Sequence, residues 1–152
     1  ILTPTTESDT DAVQSVRAVW ELIGARVTLM PADDHDAALA ASSHVPHMMA
    51  YALTAMLGDH ALVPMKHGGG ALRDMTRIAA SDPVMWRDIA LTNREAILEA
   101  MDAVAVEHER LRRLIAEADG DAMQRVFDRC RAIRRAHDDV LNPLLKRSES
   151  ES

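Results

Sequence analysis

Aromatic residues are scarce in this sequence, at 3% of the chain, although apolar residues of all kinds make up 47%. The hydrophobic core must therefore consist mainly of Ala, Leu, Val, Ile and Met. Sheets are enriched in aromatic residues, whereas Ala, Leu and Met are strong helix formers. The composition predicts a mainly α fold, and 152 residues suffice for a single domain with a substantial core.

Cysteine is nearly absent, since Cys130 is the only one. A single cysteine excludes an internal disulfide framework and is typical of a reducing compartment, so we expect a cytoplasmic protein. No apolar run approaches the roughly 20 residues that span a bilayer, and the opening ILTPTTESD lacks the pattern of a signal peptide. We expect no membrane association. Because the first residue is not Met, we interpret the chain as a mature product or a piece of a longer protein.

An excess of basic residues is also missing, because the formal net charge is −7. This balance argues against nucleic acid as a partner, since phosphate neutralisation requires a basic face. Only residues 44–94 lack an acidic excess. A small anion is therefore expected to bind in this middle part, close to His44 and His47.

Residues 1–31 have the pattern of a strand, a helix and a second strand. A β-prone start precedes an amphipathic segment at 9–23, for which Ser8 or Thr10 can act as N-cap and Gly24 as the C′ residue. The stretch RVTLM at 26–30 is a plausible second strand. Two short strands form a poor sheet, so we interpret 1–31 as a β-α-β remnant of another, missing domain.

From residue 34 onward the pattern is helical. We predict helices at 34–58, bent at Pro46, at 71–80 after a loop, and from an Asp82–Pro83 N-terminus as far as 118. In the third helix, mostly apolar residues recur at spacings of four and three and form a seam along one face. Such a seam requires an equally long partner surface. The last helix, at 121–140, supplies part of that surface, and a second copy of the chain supplies the rest. The seam consists of Trp86, Ala90, Asn93, Ile97, Met101, Val104, His108, Leu111 and Ile115.

The expected architecture is thus a helical dimerisation domain with long antiparallel helices at 32–141. It follows the remnant at 1–31 and precedes a disordered tail at 142–152.

Three successive glycines, Gly68 to Gly70, precede Arg73, Asp74 and Arg77. Such a run lets a backbone approach a ligand closely, and guanidinium groups suit bidentate capture of carboxylates. The run is not GxGxxG and does not follow a predicted strand, so we do not interpret it as a nucleotide loop. The alternative is an exposed helix with a surface ion pair between Arg and Asp.

His44 and His47 lie three residues apart in SSHVPHMMAYAL and share one helical face. They fit core imidazoles bonded to carbonyls freed by Pro46, ligands of a metal, or donors in an anion pocket. A metal site needs three or four ligands, and the further candidates show no compact spacing. Those candidates are His35, Asp36, His60 and His67.

Two stretches in this order, HDAALAASSHVPHMMAYAL and GGGALRDMTRIAASDPVMWRDIALTNRE, resemble the C-terminal helical domain of prephenate dehydrogenases. The resemblance extends from the N-terminus to about residue 140. It implies an NAD-dependent oxidoreductase of tyrosine biosynthesis that converts prephenate to 4-hydroxyphenylpyruvate with loss of CO₂. It also implies a homodimer, with prephenate or a related aromatic acid as ligand.

The resemblance implies a substrate site as well. His44, His47 and Arg77 are expected to contact or frame the substrate, with Arg77 on a carboxylate and His47 as the second polar contact. The other residues expected in or near the pocket are His35, Gly69, Asp74 and Trp86. No catalytic or metal-binding residue is expected within this sequence.

The dinucleotide-binding half of the family, with its glycine fingerprint and catalytic histidine, has no counterpart in the sequence. NAD or NADP is therefore expected to bind mainly to that missing domain, and the fragment alone is expected to be inactive. The alternative is a stand-alone helical dimer that binds an aromatic acid or tyrosine without catalysis.

Overall fold

A computed structural model describes residues 1–59 and 63–141. These residues are mainly helical, which confirms the predicted fold class. The helices are α1 Thr10–Leu22, α2 Ala32–Leu39, α3 Val45–Gly58, α4 Gly70–Thr76, α5 Pro83–Thr92, α6 Arg94–Ala116, α7 Gly120–Ala136 and α8 Asp138–Leu141. A π-helical turn covers Ala40–His44, and 3₁₀ turns cover Pro64–His67 and Arg77–Ala80. The chain divides into two compact units, Ile1–Ala103 and Val104–Ser152.

Local sequence signals set both ends of α1. At the N-terminus the cap is Asp9, whose carboxylate accepts a hydrogen bond of 2.7 Å from the Ala12 N–H; it is neither Ser8 nor Thr10. At the C-terminus Gly24 has a φ of 91°, in the left-handed region that glycine adopts without strain. Its N–H donates to the Glu21 carbonyl, and the next N–H donates to Trp20, in the Schellman pattern. The predicted C′ role of Gly24 is confirmed.

The two segments that flank α1 meet at one parallel bridge, between Leu2 and Leu29. The Leu2 N–H donates to the Thr28 carbonyl at 2.8 Å, and the Met30 N–H donates to the Leu2 carbonyl at 3.2 Å. Within the described ranges the pairing does not extend into a strand on either side.

The predicted bend near Pro46 takes the form of a π-helical turn. The turn joins α2 to α3 without a loop, and the Val45 N–H donates to the Ala40 carbonyl five residues earlier. Pro46 has no N–H, so the ordinary bond to the carbonyl four residues before it is lost. The wider turn keeps the chain helical at this point.

The long helix predicted from Pro83 to residue 118 is interrupted, so this prediction is wrong at its middle. Its start is confirmed, because the Asp82 carboxylate accepts from the Met85 N–H at 2.8 Å. The helical conformation stops at Asn93, which has φ −104° and ψ 36°, and resumes in α6. The helix predicted at 71–80 is likewise divided, into α4 and the 3₁₀ turn at Arg77–Ala80.

The last long helix, α7, ends at Ala136 and not at residue 140. His137 is the C-cap, and its Nδ1 donates to the Ile133 carbonyl at 2.8 Å, a carbonyl that a continued helix would bond through a backbone N–H. The short α8 follows. The predicted tail at 142–152 and His60 lie outside the described residues.

The buried core of the first unit is small and has its centre around α3. Among the described residues it consists of Ala40, Val45, Ala50, Leu57, Trp86 and Ile97, and Val126 is the one described residue of the second unit that is buried. Many large apolar side chains remain exposed, among them Val106 at 69%, Ile115 at 65% and Phe127 at 56%. None of the described helices combines the length and apolar character required to cross a membrane.

Candidate ligand site around the imidazole pair

The two predicted histidines lie on either side of Pro46. His44 is the last residue of the π turn, and His47 lies in the first turn of α3. The His47 Nδ1 lies 2.9 Å from the Ser43 carbonyl oxygen. Because a carbonyl only accepts, Nδ1 of His47 carries a proton, and Nε2 is the ring nitrogen left for other partners.

Trp86, from α5, brings the two imidazoles into one aromatic cluster. Its indole is only 7% exposed and stacks on His47, with ring centroids 3.5 Å apart and planes 21° from parallel. The same indole meets His44 edge-on, at 6.1 Å and 78°. The structure thus brings together three of the predicted site residues, His44, His47 and Trp86.

Asn93 belongs to this cluster, although it was not predicted as a site residue. Its side-chain nitrogen donates to the Asp36 carbonyl at 2.8 Å and lies 3.1 Å from Nδ1 of His44. It therefore ties the α5–α6 junction to α2 and to the π turn. One sequence signal pointed to it: Asn93 is a polar residue within an otherwise largely apolar seam.

His35 lies on α2 beside the same cluster. Its Nδ1 is 2.9 Å from the carboxylate of Asp36, and its side chain is 32% exposed. Burial lowers the pKa of His44 below its ordinary value, and the neighbouring His35 and His47 act in the same direction. The carboxylate of Asp36 opposes them by raising this pKa. The net effect favours a neutral His44.

A cavity of about 300 Å³ adjoins the cluster between α3 and α5. It is lined by Met48, Tyr51, Pro83, Trp86, Arg87 and Ala90. Within the described part of the chain, the Tyr51 hydroxyl and Trp86 Nε1 are buried and have no hydrogen-bond partner. An apolar cavity of this kind suits the aromatic body of a ligand.

The remaining predicted residues lie on a separate segment. Gly69 precedes α4, Asp74 lies within it, and Arg77 begins the 3₁₀ turn that follows. This segment packs against α3. In the described ranges no hydrogen bond, ion pair or ring contact joins these residues to the imidazoles or to Trp86, so their shared pocket stays a prediction.

The charges on this segment differ in how they are paired. Asp74 forms an exposed ion pair with Arg73, at 3.2 Å. Arg77, by contrast, is exposed and forms no ion pair with any residue that the structure describes. Within the described chain, no carboxylate therefore competes with a ligand for the guanidinium of Arg77.

A metal centre has no support in this geometry. Across residues 1–59 and 63–141, no group of three His, Cys, Asp or Glu side chains is arranged to hold an ion. The imidazole nitrogens with assigned contacts bind carbonyl, carboxylate or amide groups.

The family model described as "Prephenate dehydrogenase, dimerization domain" matches residues 31–129. The chain belongs to the prephenate dehydrogenase family. Residues 31–129 of the chain are the family's dimerization domain, as the quoted motifs indicated.

Curated relatives agree with this assignment. A cyclohexadienyl dehydrogenase from Zymomonas mobilis is 40% identical over 131 residues, which are 84% of this chain and 45% of the relative. A prephenate dehydrogenase from Bacillus subtilis is 33% identical over 130 residues, or 84% of this chain and 35% of the relative. The chain thus spans less than half the length of these two relatives.

A solved structure shares the fold. The crystal structure of prephenate dehydrogenase from A. aeolicus, in complex with hydroxyphenyl propionate and NAD⁺, superimposes with a TM-score of 0.82. The sequences are 33% identical, and the match covers 90% of this chain and 49% of the A. aeolicus chain.

Proposed function

We propose that this chain is the C-terminal part of an NAD-dependent prephenate dehydrogenase of tyrosine biosynthesis, which converts prephenate to 4-hydroxyphenylpyruvate with loss of CO₂. The chain supplies substrate binding and dimerisation. The observation that carries the proposal is the cluster of His44, His47 and buried Trp86 in a member of this family. The hydroxyphenyl propionate bound by the A. aeolicus relative is an aromatic acid of the kind that such a cluster suits.

The substrate is a dicarboxylate, so its site requires cationic or hydrogen-bonding groups that are not already neutralised. Arg77 meets this requirement, because no described carboxylate pairs with it. We assign Arg77 to a substrate carboxylate, His47 to the second polar contact and His44 to the frame of the site. Trp86 forms an aromatic wall, and we place His35, Gly69 and Asp74 in or near the same pocket.

We propose residues 1–31 as the terminal strand, helix and strand of a dinucleotide-binding domain, followed by the substrate-binding and dimerisation domain at 32–141. The parallel bridge between Leu2 and Leu29, with α1 between them, supports the strand, helix and strand order of residues 1–31. NAD, when bound, accepts the hydride that leaves the substrate.

The described residues show no cradle for this cofactor. The glycines at 68–70 follow a 3₁₀ turn and lead into a helix of seven residues, whereas a dinucleotide loop follows a strand. We therefore assign NAD or NADP mainly to a domain outside this sequence, and we expect the chain alone to be inactive.

The exposed, unpaired Cys130 supports a cytoplasmic location.

Calorimetric titration of the chain with hydroxyphenyl propionate tests the proposal. We expect the unaltered chain to bind and Arg77→Ala to weaken binding by roughly ten- to a hundredfold, since one charge-assisted pair with a carboxylate is lost. Arg112→Ala, which removes an exposed guanidinium from α6, is the matched control and should leave affinity unchanged.

Three outcomes separate the possibilities. Equal affinity of the Arg77→Ala and unaltered chains would exclude the proposed role of this arginine. Oxidation of prephenate that appears only when a family dinucleotide-binding domain and NAD⁺ are added in trans would support a split dehydrogenase. Binding without turnover under those conditions would favour a stand-alone binding protein.

A further inference from the structure

The side-chain amide of Asn93 has an orientation that its contacts determine. Its nitrogen lies 2.8 Å from the Asp36 carbonyl oxygen, which only accepts hydrogen bonds. The atom in that position must therefore be the NH₂ nitrogen and not the amide oxygen. Its second hydrogen is then available to Nδ1 of His44, 3.1 Å away.

This contact determines which nitrogen of His44 carries the proton. An Nδ1 that accepts from Asn93 carries no hydrogen of its own, so a neutral His44 holds its proton on Nε2. In His47 the arrangement is opposite, because Nδ1 donates to the Ser43 carbonyl and Nε2 of the neutral ring keeps its lone pair. Each imidazole uses Nδ1 within the protein and leaves Nε2 for a ligand.

We propose that Asn93 is a positioning residue that holds His44 in the Nε2–H tautomer, opposite to that of His47. The pair then offers one hydrogen-bond donor and one acceptor, three residues apart on a single helical face, to a ligand bearing an acceptor oxygen and a hydroxyl group. The contact of the two Nε2 atoms with a ligand rests on the proposed function. The assignment of the two tautomers does not depend on that function.

The surroundings of His44 support a neutral ring. The groups that affect its charge are Asp36 and His35 on α2 and His47 on α3, and burial outweighs the carboxylate, so its pKa lies below the ordinary value. Trp86 packs against it from α5 in a T-shaped arrangement. A doubly protonated His44 would also present an N–H to the N–H of Asn93, which destroys their hydrogen bond.

Long-range ¹H–¹⁵N correlation spectra of the histidine rings test the tautomers directly, because protonated and unprotonated ring nitrogens differ widely in chemical shift. At about pH 8, where histidines are neutral, we expect His44 of the unaltered chain to show a protonated Nε2 and His47 a protonated Nδ1. The His44 signals are identified as those that the His44→Gln variant lacks. A His44 proton on Nδ1 would overturn the proposal, and this measurement requires no Asn93 variant to fold.

Asn93→Asp reverses the contact, because a carboxylate accepts where the amide donates. We expect the His44 proton to move to Nδ1 and the affinity for hydroxyphenyl propionate to fall about tenfold, as expected for one lost hydrogen bond. Asn93→Ala, which removes the contact without reversing it, should leave a mixture of tautomers. Unchanged His44 spectra in both folded variants would show that Asn93 does not set the tautomer.

The two proposals fail in different ways. If the unaltered chain has the expected tautomers but neither the chain nor its complex with the dinucleotide-binding domain binds an aromatic acid, the proposed function is wrong and the role of Asn93 stands. If ligand binds but His44 has its proton on Nδ1, the role of Asn93 is wrong and the proposed function is unaffected.

Discussion

The His44 imidazole is restrained by Asn93 at one nitrogen and by the indole of Trp86. Burial favours its neutral form and lowers its pKa. In the unfolded chain the same histidine takes up a proton near its ordinary value of 6.5. Below about that pH the unfolded state therefore binds more protons than the folded state, and stability falls as the pH decreases.

This linkage gives a prediction for stability. The free energy of unfolding should decrease as the pH is lowered from about 6.5 toward the lowered pKa of His44. In His44→Gln, which cannot titrate, the decrease over this window should be smaller. Urea unfolding followed by circular dichroism at a series of pH values measures the difference.

His67→Gln provides the control, because it removes an exposed histidine from a different segment, the 3₁₀ turn at Pro64–His67. The pH dependence of stability should change more in His44→Gln than in His67→Gln. Identical pH dependence in the His44→Gln and unaltered chains would contradict the linkage.

The sequence predicted part of this site for clear physical reasons. The spacing of His44 and His47 placed both rings on one face, since residues three apart are neighbours on a helix. Trp86 entered through the family resemblance. The site role of Asn93 was not predicted: its polar character within the seam marked the position, but its partners Asp36 and His44 lie 57 and 49 residues away in the sequence.

At the scale of elements, two helix ends with local caps were predicted correctly, whereas the Asp9 cap of α1 was not. Asp82 before Pro83 and Gly24 after α1 act through bonds to residues a few positions away. The break between α5 and α6 lies at Asn93, whose contacts are with residues distant in the sequence, and the seam alone predicted one continuous helix. The bend near Pro46 was predicted, but its π-helical form was not. A proline removes one helical hydrogen bond and does not by itself determine which kind of turn replaces it.

The glycines at two helix ends give a matched pair of predictions. Gly24→Ala should lower the free energy of unfolding by about 1 to 2 kcal/mol, since φ is 91° there and a side chain is strained in that region. Gly58→Ala should raise it by roughly 0.5 to 1 kcal/mol, because this glycine is helical and alanine restricts the unfolded chain.

Steric clashes do not complicate the comparison, because a Cβ at either position meets no atom within 4 Å among the described residues. Thermal and urea unfolding of both variants measures the changes. Equal effects of the two substitutions would contradict the role assigned to Gly24.

At the scale of the whole molecule, the small buried core contrasts with the number of exposed apolar side chains. Met101 on α6 is 38% exposed, and Phe127 and Ile133 on α7 are more than half exposed. The chain belongs to a family whose matched domain is a dimerization domain. We therefore expect a second copy of the chain to cover part of this apolar surface.

Sedimentation velocity tests the dimer. The unaltered chain should sediment as a dimer at micromolar concentration, and Met101→Glu should shift it toward the monomer, because a charge in an apolar interface loses its hydration. Gln124→Glu adds the same charge at an exposed polar position and should leave the dimer intact. A monomeric unaltered chain would exclude the dimer under these conditions.

The stack between His47 and Trp86 has a spectroscopic consequence. An imidazole in van der Waals contact with an indole quenches its fluorescence, most strongly when the imidazole is protonated. The sequence contains two tryptophans, and the other, Trp20, is half exposed on α1. Emission from Trp86 should therefore be quenched and sensitive to any displacement of His47, so the molecule carries its own optical reporter of ligand entry.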